Sequence, residues 1–364
     1  MKVLSNYVLK ELIGSIILSL VIFILVIFIG NIVKLGGMII TKGIGIGYIG
    51  SLFFFLLLKP LNYIIPLSTL TGTLLAFGRL SSDNEITALK AIGFNLYKLM
   101  IPAIIIGLLL SFFSIMLNDR LIPNMHFAIR RLLFEIGMKK PAACLEEGTF
   151  VKAFKDYIIF IHEIDGNKLT GVRIYQPQEG RPTRTITAEK GELIPMAEKK
   201  MVALKLIDGS SDEPNADDPT SFYKLNFKTY YLTLNLQEQL SGKNIEKKAK
   251  DMDFRELIKK IKDPDCSRKT RLLSIIEFHK KLSLSFASLV FVVIGLPLAL
   301  LAKREEKFIG FGLGLAVFVI YYLLLSAGKG LVLKGMFSPA LCMWFPNILI
   351  ATAGIILFCL VVEK

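Results

Sequence analysis

Apolar residues are distributed along the chain in two contrasting patterns. They run almost without interruption from Leu12 to Val33, and again near Gly50–Gly78, Leu99–Leu117, Leu282–Ala302, Phe308–Gly328 and Pro339–Val362. A helix needs about 20 predominantly apolar residues to cross a bilayer, and buried helices of soluble enzymes seldom sustain such a run beyond about 14. Six membrane-spanning helices are therefore predicted, the second interrupted by Lys59-Pro60. From Gly148 the pattern becomes one of short alternating runs: GTFVKAF, DYIIFIHEI, LTGVRIYQ, RTITAEKG, MVALKLIDG and YKLNFKTYYLTLNL. Each reads as a strand, with turn clusters at Asp165-Gly166-Asn167, Gln178-Glu179-Gly180 and Asp208-Gly209-Ser210-Ser211. Closely spaced short strands predict an all-β sandwich or jelly roll. In Tyr223–Leu236 the apolar residues Leu225, Phe227, Tyr231 and Leu234 keep period two only in part, which predicts one bulge.

Two helical segments would join this β region to the membrane. Asp119–Met138 continues the third span, with Leu121, Met125, Ile129, Leu132, Leu133 and Ile136 at helical spacing. Asn244–Lys262 is heavily charged and leads back to the fourth span. The predicted fold class is an α-helical membrane protein with six transmembrane helices and an inserted all-β, jelly-roll-like domain. Its parts are residues 1–117 (spans one to three, with a short helix near 80–93), 118–274 (the β domain and its stalks) and 275–364 (spans four to six). The first span follows Lys2, Lys10 and Glu11 without a small-residue cleavage pattern after it, so it is expected to be a retained helix.

Charge decides the expected orientation. The loops on the side of the termini carry nine basic residues (Lys2, Lys10, Arg79, Lys90, Lys98, Lys303, Arg304, Lys307 and Lys364), against four (Lys34, Lys42, Lys329 and Lys334) in the short loops opposite. The positive-inside rule places both termini in the cytoplasm and the β domain outside. With 53% hydrophobic and 20% charged residues in 364, the chain is too apolar for a disordered or ordinary soluble protein. The net charge of +14 is explained by basic residues flanking membrane helices. No nucleic-acid-binding pattern accompanies it, and no nucleic-acid partner is expected.

No catalytic constellation is visible. The chain has no G-x-x-x-x-G-K-S/T loop, no G-x-S-x-G elbow and, with only His126, His162 and His279, no H-E-x-x-H metal motif. No metal or cofactor is expected. Cys144 and Cys266 are the two cysteines an oxidising compartment would offer for pairing, while Cys342 and Cys359 read as apolar packing residues. Charge within hydrocarbon is costly and tends to mark function. Lys34 caps the outer end of span one, Lys42 follows in a Gly-rich loop, and Lys59 lies within span two. Snorkelling to the interface is the plainer account of Lys34 and Lys42. The sharper one is that all three amines face an anionic, lipid-like ligand.

Between spans two and three lies Arg79-Leu80-Ser81-Ser82-Asp83-Asn84-Glu85, followed by Ala88, Ala91 and Gly93. It reads as a short helix capped by Ser82 or Asp83 and ended by Gly93. This stretch resembles the coupling segment of the LptF/LptG (YjgP/YjgQ) permease family. The likeness extends to Glu277-Phe278-His279-Lys280-Lys281, where the family commonly has E-x-H-x-R, and to Gly295-Leu296-Pro297 and Trp344-Phe345-Pro346-Asn347. It covers the whole chain in order.

The resemblance implies a membrane subunit of the ABC exporter that extracts lipopolysaccharide from the bacterial inner membrane. It implies pairing with a second permease chain, a paralogue or itself, and docking of a dimeric cytoplasmic ATPase that supplies the ATP hydrolysis. It further implies lateral lipid entry between spans one and five of opposing subunits and transfer through the β domain to a periplasmic jelly-roll relay. By position it assigns lipid-headgroup contacts to Lys34 and, less directly, to Lys42 and Lys59. It assigns coupling to Glu85, with Arg79 and Asp83 beside it. Gly310, Gly312 and Gly314 in span five and Pro297 in span four fit a moving gate and static packing equally. Lipoprotein-releasing permeases place their outer domain between spans one and two, unlike this chain. A membrane-anchored periplasmic scaffold or sensor without transport activity is the alternative, and it would need neither an ATPase nor a lipid cavity.

Overall fold

The computed structural model describes residues 2–40, 45–139, 147–154, 157–178, 181–196, 201–214, 222–234, 247–301 and 307–363. Their elements in chain order are α1 (Lys2–Ile40), α2 (Ile46–Leu58), α3 (Leu61–Ser82), α4 (Glu85–Ala91), α5 (Tyr97–Met116), a π turn (Leu117–Leu121) and α6 (Ile122–Lys139). Strands β1 (Phe150–Phe154), β2 (Tyr157–Asp165), β3 (Lys168–Gln178), β4 (Arg181–Met196), β5 (Met201–Pro214) and β6 (Phe222–Leu234) follow. A 3-10 turn (Ala249–Asp251), α7 (Phe254–Lys262), α8 (Arg268–Leu301), α9 (Lys307–Leu333) and α10 (Pro339–Glu363) complete the chain. These residues divide into two compact units: Met1–Asn31, Leu56–His126 and Lys247–Lys364, and Ile32–Phe55 with Phe127–Glu246. The stretches 118–126 and 247–274, expected with the β domain, thus belong to the helical unit.

Among the described residues, six helices are long and apolar enough to cross a membrane: Val3–Gly37, Leu61–Ser82, Tyr97–Leu133, Arg268–Leu301, Gly312–Leu333 and Pro339–Val361. The second differs from the sequence expectation. Helix α2 stops at Leu58, Lys59-Pro60 forms a turn, and the spanning helix starts at Leu61. Pro60 cannot donate the backbone hydrogen bond that would carry α2 through. Lys59 therefore sits exposed at the head of the span and not within it. The charged return segment, expected as one helix from Asn244 to Lys262, is instead a 3-10 turn and the separate helix α7, with 244–246 outside the described residues. Asp253 caps α7, accepting from the Glu256 N–H while Glu256 accepts from the Asp253 N–H.

Helix α8 is the centre of the helical unit and packs against α3, α5 and α10. Phe291, Leu296, Ala287 and Leu284 on α8 meet Leu70, Leu74 and Phe77 of α3 and Ala103 and Ile106 of α5 in one core. Without water as solvent, close approach and internal hydrogen bonds hold such helices together. A Cβ on Gly72 of α3 would lie 2.6 Å from the Ile16 Cα of α1, so only glycine permits that crossing. Ser283 of α8 donates to the Met343 carbonyl, and Asn347 donates to the Ser283 carbonyl at 2.9 Å, tying α8 to α10.

The β unit is a six-stranded antiparallel meander in which each strand pairs with its sequence neighbours. All six strands read from alternation are present, and the Greek-key crossovers of a jelly roll do not occur among the described strands. Two local expectations fail here. The bulge expected in β6 is absent, since β5 and β6 keep one register from Val202↔Leu234 to Pro214↔Phe222; the register shifts lie instead between Val151/Phe154 and Gln176/Gln178. Asp208-Gly209-Ser210-Ser211 is no turn but the middle of β5. Asp208 adopts φ +51° and Gly171 φ +64°, and the positions His162, Gly171, Glu189, Asp208 and Lys228 form one column skipped by the pairing. Across that column the buried positions change parity: Leu169 gives way to Val172 and Ile174, Ile186 and Ala188 to Leu193, and Leu204 and Leu206 to Ser211. The sheet is creased along a line, as glycine-type kinks in strands permit, and one core gathers residues from both sides of the crease. The partial period in β6 is the mark of this crease: Phe227 packs inward on one side and Tyr230 and Leu232 on the other.

Candidate functional site

Lys59 opens the strongest candidate site. A cavity of about 450 Å³ in the helical unit is lined by Lys59, Lys250, Lys280, Lys281, Glu277 and Asn62, with Tyr63, Asn118 and His126 adding polar walls. Ile27, Leu56, Ile122 and Leu284 supply the apolar part. The sequence builds it from seven pieces, two of which are α1 (Ile27) and α2 (Leu56). The break at Pro60 turns Lys59, Asn62 and Tyr63 inward, the π turn after α5 brings Asn118, and the start of α6 brings His126. The 3-10 turn carries Lys250, and α8 presents Glu277 and its two following lysines.

Charge in the cavity is unbalanced, with four lysines against one carboxylate. Glu277 is buried and pairs with Lys280 at 3.7 Å. Lys281, 4% exposed, donates to the Met252 carbonyl and lies 5.8 Å over the Phe254 ring. The Phe254 N–H in turn donates to Asp119 Oδ1 of the π turn at 3.0 Å. Lys281 and Asp119 therefore fasten the returning chain to α8 and to the helix by which it left. Lys59 and Lys250 are exposed and have no hydrogen bond or ion pair among the described residues. The Asn62 side chain is buried and its Oδ1 lacks a partner. A partnerless buried amide beside two unpaired ammonium groups is costly unless something polar enters.

The remaining headgroup candidates are placed less fully. Lys34 lies on the α1 backbone, but its side chain, like all of Lys42, is outside the described residues. Cys144 also lies outside them, and Cys266 is half-buried. Among the described residues no three His, Cys, Asp or Glu converge as a metal site.

The coupling candidates lie together at the other end of α3, which is about 33 Å long at helical rise. Arg79 pairs with Glu11 at 2.8 Å and with Asp83 at 3.5 Å. Glu85 accepts a hydrogen bond from the Tyr7 hydroxyl at 2.9 Å, and Lys90 donates to the Val361 carbonyl at 3.0 Å. The short helix is thus tied to α1 and α10, and the end of α3 to α1. Neither Ser82 nor Asp83 caps it. Asn84 occupies the cap position at φ +60° without a side-chain bond, because Asp83 still closes the last turn of α3 onto the Arg79 carbonyl. The end is as expected: Gly93 (φ +74°) and Phe94 donate to the Lys90 and Leu89 carbonyls, a Schellman closure. Ile92, 77% exposed, and Thr87 project outward.

Sequence reasoning missed Lys250, Asn62, Tyr7 and Glu11. The lysine run around Lys247, Lys248 and Lys250 was the one visible signal for the first; the others are single polar residues without a motif.

The chain is similar to the lipopolysaccharide export system permease protein LptF of Escherichia coli (strain K12), 22% identical over 358 residues that cover 98% of this chain and 94% of the relative. The LptF protein of Shigella flexneri matches to the same extent. An uncharacterized protein of Rickettsia prowazekii is 22% identical over 244 residues, 66% of each chain. A family model described as "Lipopolysaccharide export system permease LptF/LptG" matches residues 6–359. With that match spanning all six long apolar helices, the chain belongs to the LptF/LptG family of lipopolysaccharide export permeases.

Proposed function

We propose that this chain is one permease subunit of an ABC exporter that extracts lipopolysaccharide, or a related anionic glycolipid, from the bacterial inner membrane. Both termini face the cytoplasm, and the creased sheet is the described part of a periplasmic jelly-roll-like domain that hands lipid to a relay of similar folds. A second permease chain completes the lipid cavity, and a dimeric cytoplasmic ATPase docks on the α4 region through Glu85, with Arg79 and Asp83 shaping the surface. ATP is consumed by that partner and not by this chain. Lys34, Lys42 and Lys59 contact the phosphates of the headgroup as point charges.

The observation that carries this reading is the polarity of the helical unit: a lysine-rich cavity at one end of α3 and a stapled helix with an exposed tip at the other. An exporter driven from the cytoplasm needs a cargo site and a drive site on one body, and family membership over residues 6–359 supports the pairing of those roles. Native mass spectrometry of the tagged protein, purified in mild detergent, tests it. Two permease chains with two ATPase copies and bound lipopolysaccharide are expected. A chain that arrives alone, or with a periplasmic protein only, would instead favour the scaffold.

A further inference from the structure

Helix α10 is hydrogen-bonded to its neighbours at Asn347 and at Val361, two places about 21 Å apart at helical rise. We propose that α10 is a transmission rod with Lys90 and Asn347 as its positioning residues. Lys90 ties the short helix α4 to one end, and Asn347, through Ser283 and Tyr321, passes the position of that end to α9. The inference deepens the exporter reading and rests on it for what moves α4.

At the α4 end, the last turn of α10 leaves carbonyls without donors from its own helix. Lys90 donates to one of them, that of Val361, at 3.0 Å, where a cation also meets the negative end of the helix dipole. Tyr97, at the start of α5, makes a T-shaped contact with the buried Phe358 of α10 at 5.3 Å. Between its two bonded places α10 is pressed onto α8, since a Cβ on Gly354 would lie 2.9 Å from the Ile294 Cα. Such close packing transmits a displacement at Val361 along the rod instead of absorbing it.

The other end is built from Trp344-Phe345-Pro346-Asn347. Trp344 packs on Phe286 of α8 at 5.6 Å. Pro346 has no N–H, so the Cys342 carbonyl lacks its donor within α10. That carbonyl faces Gly328 of α9, where a Cβ would lie 2.9 Å from its oxygen. Ser283 of α8 donates to the Met343 carbonyl at 2.6 Å and accepts from Asn347 Nδ2 at 3.1 Å. Its proton is thus committed, and the Tyr321 hydroxyl of α9, 3.4 Å from the Ser283 Oγ and from its carbonyl, is the donor there. Ser283, Tyr321, Met343 and Asn347 are all buried. The Tyr321 bond is long beside the roughly 2.8 Å usual for hydroxyls, and Asn347 Oδ1 leaves the joint one unused acceptor. The joint therefore holds α8 and α10 firmly to each other and α9 lightly to both, with Asn347 setting the oxygen on which Tyr321 rests.

Cys342 is a native reporter of this joint. It is buried where α10 meets Gly328 of α9, three residues from the start of α10. The test uses the full chain alone in nanodiscs with Cys144→Ser, Cys266→Ser and Cys359→Ser, and follows maleimide labelling of Cys342 by mass spectrometry. Lys90→Met is expected to speed labelling about threefold or more, although Val361 lies roughly 28 Å along α10 from Cys342. Lys90→Arg should keep the wild-type rate, because a guanidinium can cap the same carbonyl. Tyr321→Phe and Asn347→Ala should each speed labelling at least as much as Lys90→Met. The double variant Lys90→Met, Asn347→Ala should label at the rate of Asn347→Ala, since a cut joint no longer feels the far end. If Asn347→Ala lowers the unfolding temperature, Tyr321→Phe takes its place in the double variant. A wild-type rate in Lys90→Met, or effects that multiply in the double variant, overturns the rod. Neither result involves an ATPase or a lipid, so the exporter reading then still stands. Conversely, a chain that purifies without an ATPase defeats that reading, while the labelling pattern keeps the rod.

Discussion

The two ends of α3 handle charge in opposite ways. At the α4 end each formal charge that was singled out has a partner from another element: Arg79 with Glu11, Glu85 with Tyr7, and Lys90 with the last turn of α10. At the Lys59 end, charge exceeds its partners, and the surplus is concentrated in a cavity beside a buried amide with an unused bond. Satisfied polar groups fix a geometry, and unsatisfied ones in a concave site await a ligand. On the proposed reading, the paired end is the one that transmits and the cavity end the one that receives. A helix tied to two others moves only when they move, whereas a cavity with surplus lysines changes its energy when an anion arrives.

The largest test of the contrast is Glu277→Gln. This substitution removes the one carboxylate that lines the cavity among the described residues and leaves Lys280 half-buried without its ion-pair partner. Loss of one member of a buried pair costs roughly 3 kcal/mol. A lower unfolding temperature in detergent is expected, with partial recovery on adding phosphate. Wild-type stability in phosphate-free buffer would show that the lysines are already accommodated, and the contrast between the two ends would fail.

A smaller effect is expected from Asp119→Ala. It deprives the Phe254 N–H of its acceptor and unfastens the return segment from the π turn, at a cost of about 1–2 kcal/mol. Faster amide exchange localised to 252–256 is expected, with α4 unaffected. Exchange that rises equally at both ends would mean the ends are less separate than their bonding suggests.

The parts of this molecule that the sequence shows openly are those encoded by repetition. Six apolar runs became six long helices, and alternating runs became six strands, because both periods are written many times over. What stayed hidden depends on single residues. Asp208-Gly209 signals a positive φ, but the same signal serves a turn between strands or a crease within one, and only pairing on both sides decides. Pro60 was visible as an interruption, but whether it kinks or ends a helix depends on what receives the freed backbone groups. The Glu277–Lys281 motif does not disclose its use in the sequence, since Met252 and Phe254 reach Lys281 only after the chain has returned from the sheet. Lys250 and Asn62 had no motif at all.

The smallest effect on stability, and the sharpest question at the paired end, concerns Glu85. Its bond to Tyr7 is exposed, as is the Arg79–Glu11 pair, and exposed pairs contribute little to stability. Tyr7→Phe and Arg79→Gln should leave the unfolding temperature unchanged. Their value lies in comparison with Glu85→Ala, which is expected to weaken copurification of the ATPase. If Glu85 touches the ATPase directly, Tyr7→Phe frees the carboxylate and docking is kept or strengthened. If Glu85 acts by holding α4 against α1, Tyr7→Phe weakens docking as Glu85→Ala does. In that case the docking surface consists of the outward residues Thr87 and Ile92, and Ile92→Ser should lower copurification while the Tyr7–Glu85 bond remains in place. The variants at Tyr7, Glu85 and Ile92 therefore separate a contact residue from a positioning residue through binding alone, at sites where stability barely responds.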